Sequence, residues 1–122
     1  MSLRLLPPLA ALALAACGGG SPADPGPPPD VKLDQANTAG SQALSMDMPG
    51  LAVRQYKTAL QRAYERDDAG AIADVSYNLA LAQMRAGDAK AAIATVRDAQ
   101  RDLELRRAPV PAELFLVLAA AS

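Results

Sequence analysis

An all-α fold is predicted by three observations. The chain is 51% hydrophobic but only 3% aromatic and has no tryptophan, so alanine carries much of the apolar content. Alanine combines the highest helix propensity with little volume, which favours closely packed helices over sheets rich in β-branched and aromatic residues. Apolar residues recur at spacings of three and four, with no strand alternation of useful length. A 40-residue internal period also runs through the middle of the chain. The expected architecture is a stack of antiparallel helical hairpins, about five helices in all, forming a short α-solenoid over residues 31–122.

The first candidate helix covers roughly Leu33 to Asp47. It is weakly marked, because Asn37, Thr38 and Gly40 lie within it. Pro49-Gly50 then punctuates the chain, and proline is well suited to the first turn of the next helix. That second helix sets Ala52, Tyr56, Ala59, Leu60, Ala63 and Tyr64 on one stripe, with Arg54, Lys57, Gln61 and Arg62 mostly off it. Asp67-Asp68-Ala69-Gly70 supplies a break and candidate N-caps, since aspartate accepts from the free N–H groups of a first turn.

A third helix runs to about Ala86 with Ile72, Val75, Leu79 and Ala82 or Gln83 on its core face. Gly87-Asp88 ends it, because glycine adopts the left-handed conformation of a helix C-terminus and Asp88 can cap the next helix. The fourth helix, about Asp88 to Arg106, places Ala92, Val96, Ala99 and Leu103 on one face. Arg101, Arg106 and Arg107 near its end suit the negative pole of the helix dipole. After Pro109-Val110-Pro111 a fifth helix reaches almost to Ser122, and Leu114 to Leu118 make it apolar nearly all round. The favoured reading is burial as a closing element on most of its faces. The alternative is an apolar strip, within residues 111–121, that another copy or partner covers.

The N-terminal part has a different character. Arg4 precedes an apolar run from Leu5 to Ala16, far shorter than the roughly 20 residues of a membrane-spanning helix. The run ends in Leu14-Ala15-Ala16-Cys17, which holds the one cysteine of the chain. Small residues before a cysteine admit an extended chain to a peptidase site, and a thiolate is readily alkylated. The stretch resembles the lipobox of bacterial lipoproteins. That resemblance implies a signal peptide over residues 1–16, lipidation of Cys17, and membrane attachment through the N-terminal lipid. Gly18, where aspartate would resemble an inner-membrane retention signal, points to the outer membrane, facing the periplasm.

Residues 18–30, GGGSPADPGPPPD, hold nine Gly or Pro among thirteen positions. Such a segment buries too little to offset its conformational entropy. With Cys17 it reads as a tether over residues 17–30, with a reach of up to about 40 Å at the polyproline rise.

Across the middle helices, Gly40 repeats as Ala80, Leu44 as Met84, Ala52 as Ala92, Val53 as Ile93, Tyr56 as Val96 and Ala59 as Ala99. Leu118-Ala119 continues the series 39 residues after Leu79-Ala80. Leu79-Ala80, Gly87-Asp88, Ala92, Val96 and Ala99 together resemble the tetratricopeptide repeat, a helix-turn-helix unit. The resemblance covers about residues 33–121 as two and a half units. Ser76 and Glu104 depart from its pattern, and the period exceeds the family's basic unit of about 34 residues. It implies a protein-binding wall formed by the first helix of each unit. Asp74, Tyr77, Asn78, Leu81 and Arg85 would face that wall from the second unit, and Asp34, Asn37 and Ser41 from the first.

Several function classes find no support. Histidine is absent, which removes the commonest general base and metal ligand. Cys17 is committed to lipid, Asp67-Asp68 reads as a turn and cap, and Gly18-Gly19-Gly20 lacks the strand, helix and lysine of a phosphate loop. No ligand spacing for a metal occurs, so neither catalysis nor a cofactor is expected. Without residues 1–16 the formal charge is −2, and no clustered basic face suits nucleic acid. The leading expectation is therefore a lipid-anchored envelope scaffold or adaptor whose repeats bind another protein. Two alternatives are an assembly subunit that associates through its apolar last helix, and a truncated form of a longer repeat protein.

Overall fold

The computed structural model describes residues 28–122; the expected signal segment, Cys17 and most of the tether lie outside the described residues. The described chain is all-α, with α1 (Val31–Ser45), α2 (Pro49–Glu65), α3 (Ala69–Arg85), α4 (Ala89–Leu105) and α5 (Ala112–Ala121). Consecutive helices pack as antiparallel neighbours, and α3 also touches α5. No helix among the described residues is long and apolar enough to cross a membrane.

Local chemistry explains the boundaries. The side chains of Asp30, Asp68 and Asp88 accept from the backbone N–H of Leu33, Ala71 and Ala91 at 2.9, 3.1 and 3.0 Å. Each supplies one orphan donor of a first turn with a partner. α2 has no side-chain cap but begins with Pro49, whose missing N–H leaves nothing there to satisfy.

The C-termini of α1 to α4 share one solution. Asp47, Asp67, Gly87 and Arg107 have φ of 57°, 50°, 82° and 54°. In each case the next residue's N–H reaches back to the last turn: Met48 to Ala43, Asp68 to Ala63, Asp88 to Gln83 and Ala108 to Leu103, at 2.8–3.1 Å. This is the Schellman ending. Only Gly87 was legible from its residue type, because glycine alone takes this conformation without steric cost.

The expected stripe of α4 is buried at Ala92, Val96, Ala99 and Leu103; that of α2, 40 residues earlier, is buried at Ala52, Tyr56, Ala59 and Ala63, with Leu60 and Tyr64 half-buried beside it. Five of these eight buried residues are alanines at most 1% exposed, and that small volume lets the backbones approach closely. α3 buries more than its predicted face. Besides Ile72, Val75, Leu79, Ala82 and Gln83, it hides Ala73, Ser76 and Ala80, because α2 packs on one side and α4 on the other.

Two expectations change. α5 is not buried on most of its faces: Leu114 and Val117 are inside, but Phe115 is 55% and Leu116 69% exposed. Among the described residues it has α4 and α3 against one side and nothing against the other. The tether also gives way to folded chain before residue 31. Besides capping α1, Asp30 accepts from Arg62 through both carboxylate oxygens at 2.8–3.1 Å and from Arg66 at 2.9 Å. Arg66 donates as well to the Pro28 carbonyl at 2.7 Å. The paired guanidinium of Arg62, the Leu33 N–H and Arg66 hold the Asp30 carboxyl well below the usual carboxylate range.

Candidate functional site

The predicted face follows from helix geometry. Asp74, Tyr77, Asn78, Leu81 and Arg85 stand at intervals of three and four on α3 and so share one side of it. Asp34, Asn37 and Ser41 do the same on α1. The two rows meet where Asn78 Nδ2 donates to Asn37 Oδ1 at 3.3 Å, a bond that sets α1 beside α3 at this surface.

The residues differ in what they offer. Asp34, Ser41, Asp74 and Arg85 are exposed, whereas Asn37, Tyr77, Asn78 and Leu81 are half-buried. Tyr77 and Leu81 pack their apolar parts against the larger core cluster, so both support the fold as well as the surface. Arg85 lies 3.8 Å from the exposed carboxylate of Asp47, a solvated pair of little energetic consequence. Asn37 and Asn78 share one hydrogen bond and are half-buried, which leaves Asp34 and Ser41 as the exposed α1 residues of this face.

A cleft interrupts this face between α3 and α5. It encloses about 230 Å³ and is lined by Ala73, Asp74, Tyr77, Pro111 and Glu113. A smaller hollow of about 150 Å³ adjoins it beneath Ala108, Pro109 and Pro111. The Asp74 carboxyl is pushed up, first by desolvation against these walls and then by the negative charges of Asp68 and Glu113. A cation placed in the cleft would relieve both effects, because an opposite charge favours the ionised carboxylate.

Glu113 and Pro111 were missed by sequence reasoning, although a signal was present. Glu113 follows Asp74 by the same 39 residues that separate Ala119 from Ala80. The register noted for the apolar pair extends to this acidic one.

The opposite side of the stack is stitched by polar contacts between α2 and α4. Tyr64 Oη donates to Asp102 at 2.5 Å, and burial together with that carboxylate pushes the phenol up to about 12. Arg106 stands over the Tyr64 ring at 5.7 Å from its centroid and donates to Asp67 at 2.7 Å. Between α3 and α4, Thr95 donates to Gln83 at 2.7 Å. These groups hold helices together. Among the described residues no group of three or more acidic, histidine or cysteine side chains could hold a metal ion.

No family model, curated protein or solved structure matches this chain. The functional reading therefore rests on its own residues and geometry.

Proposed function

We propose that this protein is a lipid-anchored adaptor of the bacterial envelope, in which a short tetratricopeptide-like stack presents the α1–α3 face to a protein partner. Cys17 carries the lipid, the Gly/Pro-rich segment sets the reach, and the helices bind. The outer membrane, facing the periplasm, is the proposed location.

The observation that carries the binding role is the cleft between α3 and α5. Asp74 and Glu113 put two carboxylates beside Tyr77, an arrangement that suits a lysine or arginine side chain of the partner. The aliphatic stem can lie along Tyr77 and Pro111 while the charged head meets the acids. An opposite charge there favours the ionised form of both carboxylates.

The anchor and the cleft are tested separately. Metabolic labelling with an alkyne fatty acid should mark the wild-type chain and not Cys17→Ser; equal labelling of both would refute the anchor. For the cleft, the full chain is used to capture binders from envelope extract, and each binder is compared between wild type and Asp74→Asn/Glu113→Gln, both exposed positions. Loss of a binder by at least about tenfold, with unchanged helicity, is expected from removing a central contact. Undiminished capture of every binder would sink the cleft as the docking point.

A further inference from the structure

The cleft of Asp74, Tyr77 and Glu113 is the acidic end of a longer trough. The hollow beside it shares Ala73, Asp74 and Pro111 with it and continues toward the start of α3. One wall of this hollow is the first turns of α3, through Ala69, Gly70 and Ala73; the other is the connection from α4 to α5, through Ala108, Pro109 and Pro111. The first wall holds only alanines and a glycine, so the room is left by side chains that are short or missing. The second wall is set by the end of α4, where Arg107 is left-handed at φ 54° and the Ala108 N–H returns to Leu103 at 2.9 Å. Two of its three residues are prolines, which have no N–H to donate. Asp74, at the junction with the acidic cleft, is the one polar side chain that reaches the hollow.

We infer that this hollow is a second subsite of the same cleft, and that it takes an aliphatic side chain of the partner standing two residues from the lysine or arginine that Asp74 and Glu113 bind, both on one extended segment. The inference rests on the reading of the cleft as a cation site. Aliphatic walls around about 150 Å³ accept a benzene-sized group, so a valine, leucine or isoleucine side chain fits. A polar side chain there would give up water without finding a hydrogen-bond partner on the alanine and proline walls. The spacing follows from the shared residues. The two hollows are neighbours on one side of the bound segment, and alternate side chains of an extended chain point the same way about 7 Å apart. A whole helix, about 10 Å across, is too wide to enter the trough. The chain's own proline-rich segment cannot supply the cation, because no lysine or arginine occurs between Leu5 and Val31. The occupant is therefore a basic–aliphatic segment of another protein.

Short fluorescent peptides on a glycine–serine background probe both subsites of the full chain in mild detergent, with anisotropy giving the affinities. Each peptide carries one lysine and, two residues before or after it, a leucine or a serine; a further set has glutamine in place of the lysine. In one of the two orders the lysine–leucine peptide should bind about tenfold tighter than its lysine–serine counterpart, the factor that burial of one aliphatic side chain contributes. Gly70→Leu fills the hollow from its α3 wall. The residue is exposed, and a Cβ there meets nothing nearer than Asp68 Oδ1 at 3.6 Å, so helicity should be unchanged. In this variant leucine should lose its advantage, while the lysine–serine peptide binds as it does to wild type. Pro109→Ser, at an exposed position of the opposite wall, should diminish the same advantage. Equal binding of leucine and serine peptides to wild type, with lysine still required, would overturn the subsite and leave the cation site standing. A full leucine advantage retained in both variants would also overturn it. Glutamine peptides binding as tightly as lysine peptides, or no binding by any lysine peptide, would refute the cation site itself and this inference with it.

Discussion

The first hairpin, α1–α2, and the second, α3–α4, follow one backbone plan but divide their volume differently. At equivalent places the first pairs Gly40 with Tyr56, and the second pairs Ala80 with Val96. A methyl added at Gly40 would stand 2.7–2.8 Å from the ring of Tyr56, which is itself 3% exposed. The ring occupies the room that glycine leaves. In the second hairpin a methyl is present and the facing residue is smaller. Helix formation alone would favour alanine at position 40, so packing overrides propensity there.

The two first helices also differ in how many neighbours they serve. α3 carries Ile72, Val75 and Ala82 where α1 carries Lys32, Gln35 and Gln42. The three α3 residues are buried and the three α1 residues exposed. α1 is an end helix with a polar outer side, while α3 is covered on both sides. The same repeat unit is thus edited, at a few positions, for its place in the stack.

Transferring one side chain between the two helices should break this difference most severely. Val75→Gln would bury an amide without a partner in the cluster that holds Tyr56 and Leu79, and should destabilise by about 3 kcal/mol or more. Gln35→Val, the reverse exchange at the exposed site, should stay within about 0.5 kcal/mol. Urea unfolding followed by circular dichroism measures both. Equal effects would mean that α1 and α3 are not end and middle.

The volume exchange predicts a smaller but coupled effect. Gly40→Ala should cost about 1–3 kcal/mol by overpacking, and Tyr56→Val should cost a similar amount by leaving a cavity. The double variant reproduces the Ala–Val pair of the second hairpin and should be more stable than the sum of the two losses by about 1 kcal/mol or more. Simple additivity in a double-mutant cycle would show that the two residues do not share one space.

Ser76 offers the smallest test and the only one expected to raise stability. Its hydroxyl is buried without a hydrogen-bond partner, whereas α1 has the buried Ala36 at that position. Ser76→Ala should stabilise by about 1 kcal/mol, the scale of an unsatisfied buried hydroxyl. An unchanged or lowered melting temperature would indicate that the hydroxyl is satisfied in solution.

Much of the fold was legible because it depends on local rules. The aspartates before α3 and α4 act within three residues of themselves, and Gly87 ends α3 for a reason confined to its own backbone. The stripes of α2 and α4 follow from a helical period that needs no knowledge of the partner. Three of the four left-handed ends escaped notice because aspartate, though enriched in this conformation among non-glycine residues, is as much at home in a turn or a cap, and Arg107 carries no such preference. The predicted face is assembled in part, with Asn37 and Asn78 in contact. The cleft needed Glu113, whose position depends on how α5 docks.

The amino-acid order thus carried the helices, the aspartate caps of α3 and α4 and the end at Gly87, all set by interactions a few residues long, together with the 40-residue alternation. Tertiary structure decided which sides of those helices are covered. Asp30 reads as the end of a proline-rich spacer until Arg62 and Arg66, more than thirty residues away, fold against it. Gly40 reads as a weakness until the Tyr56 ring lies on it. α5 is apolar nearly all round beyond Glu113, so its sequence marks its core side only weakly, and its packing on α3 and α4 leaves Phe115 and Leu116 uncovered. Burial is a property of the neighbours as much as of the residue, and neighbours far along the chain are chosen by packing.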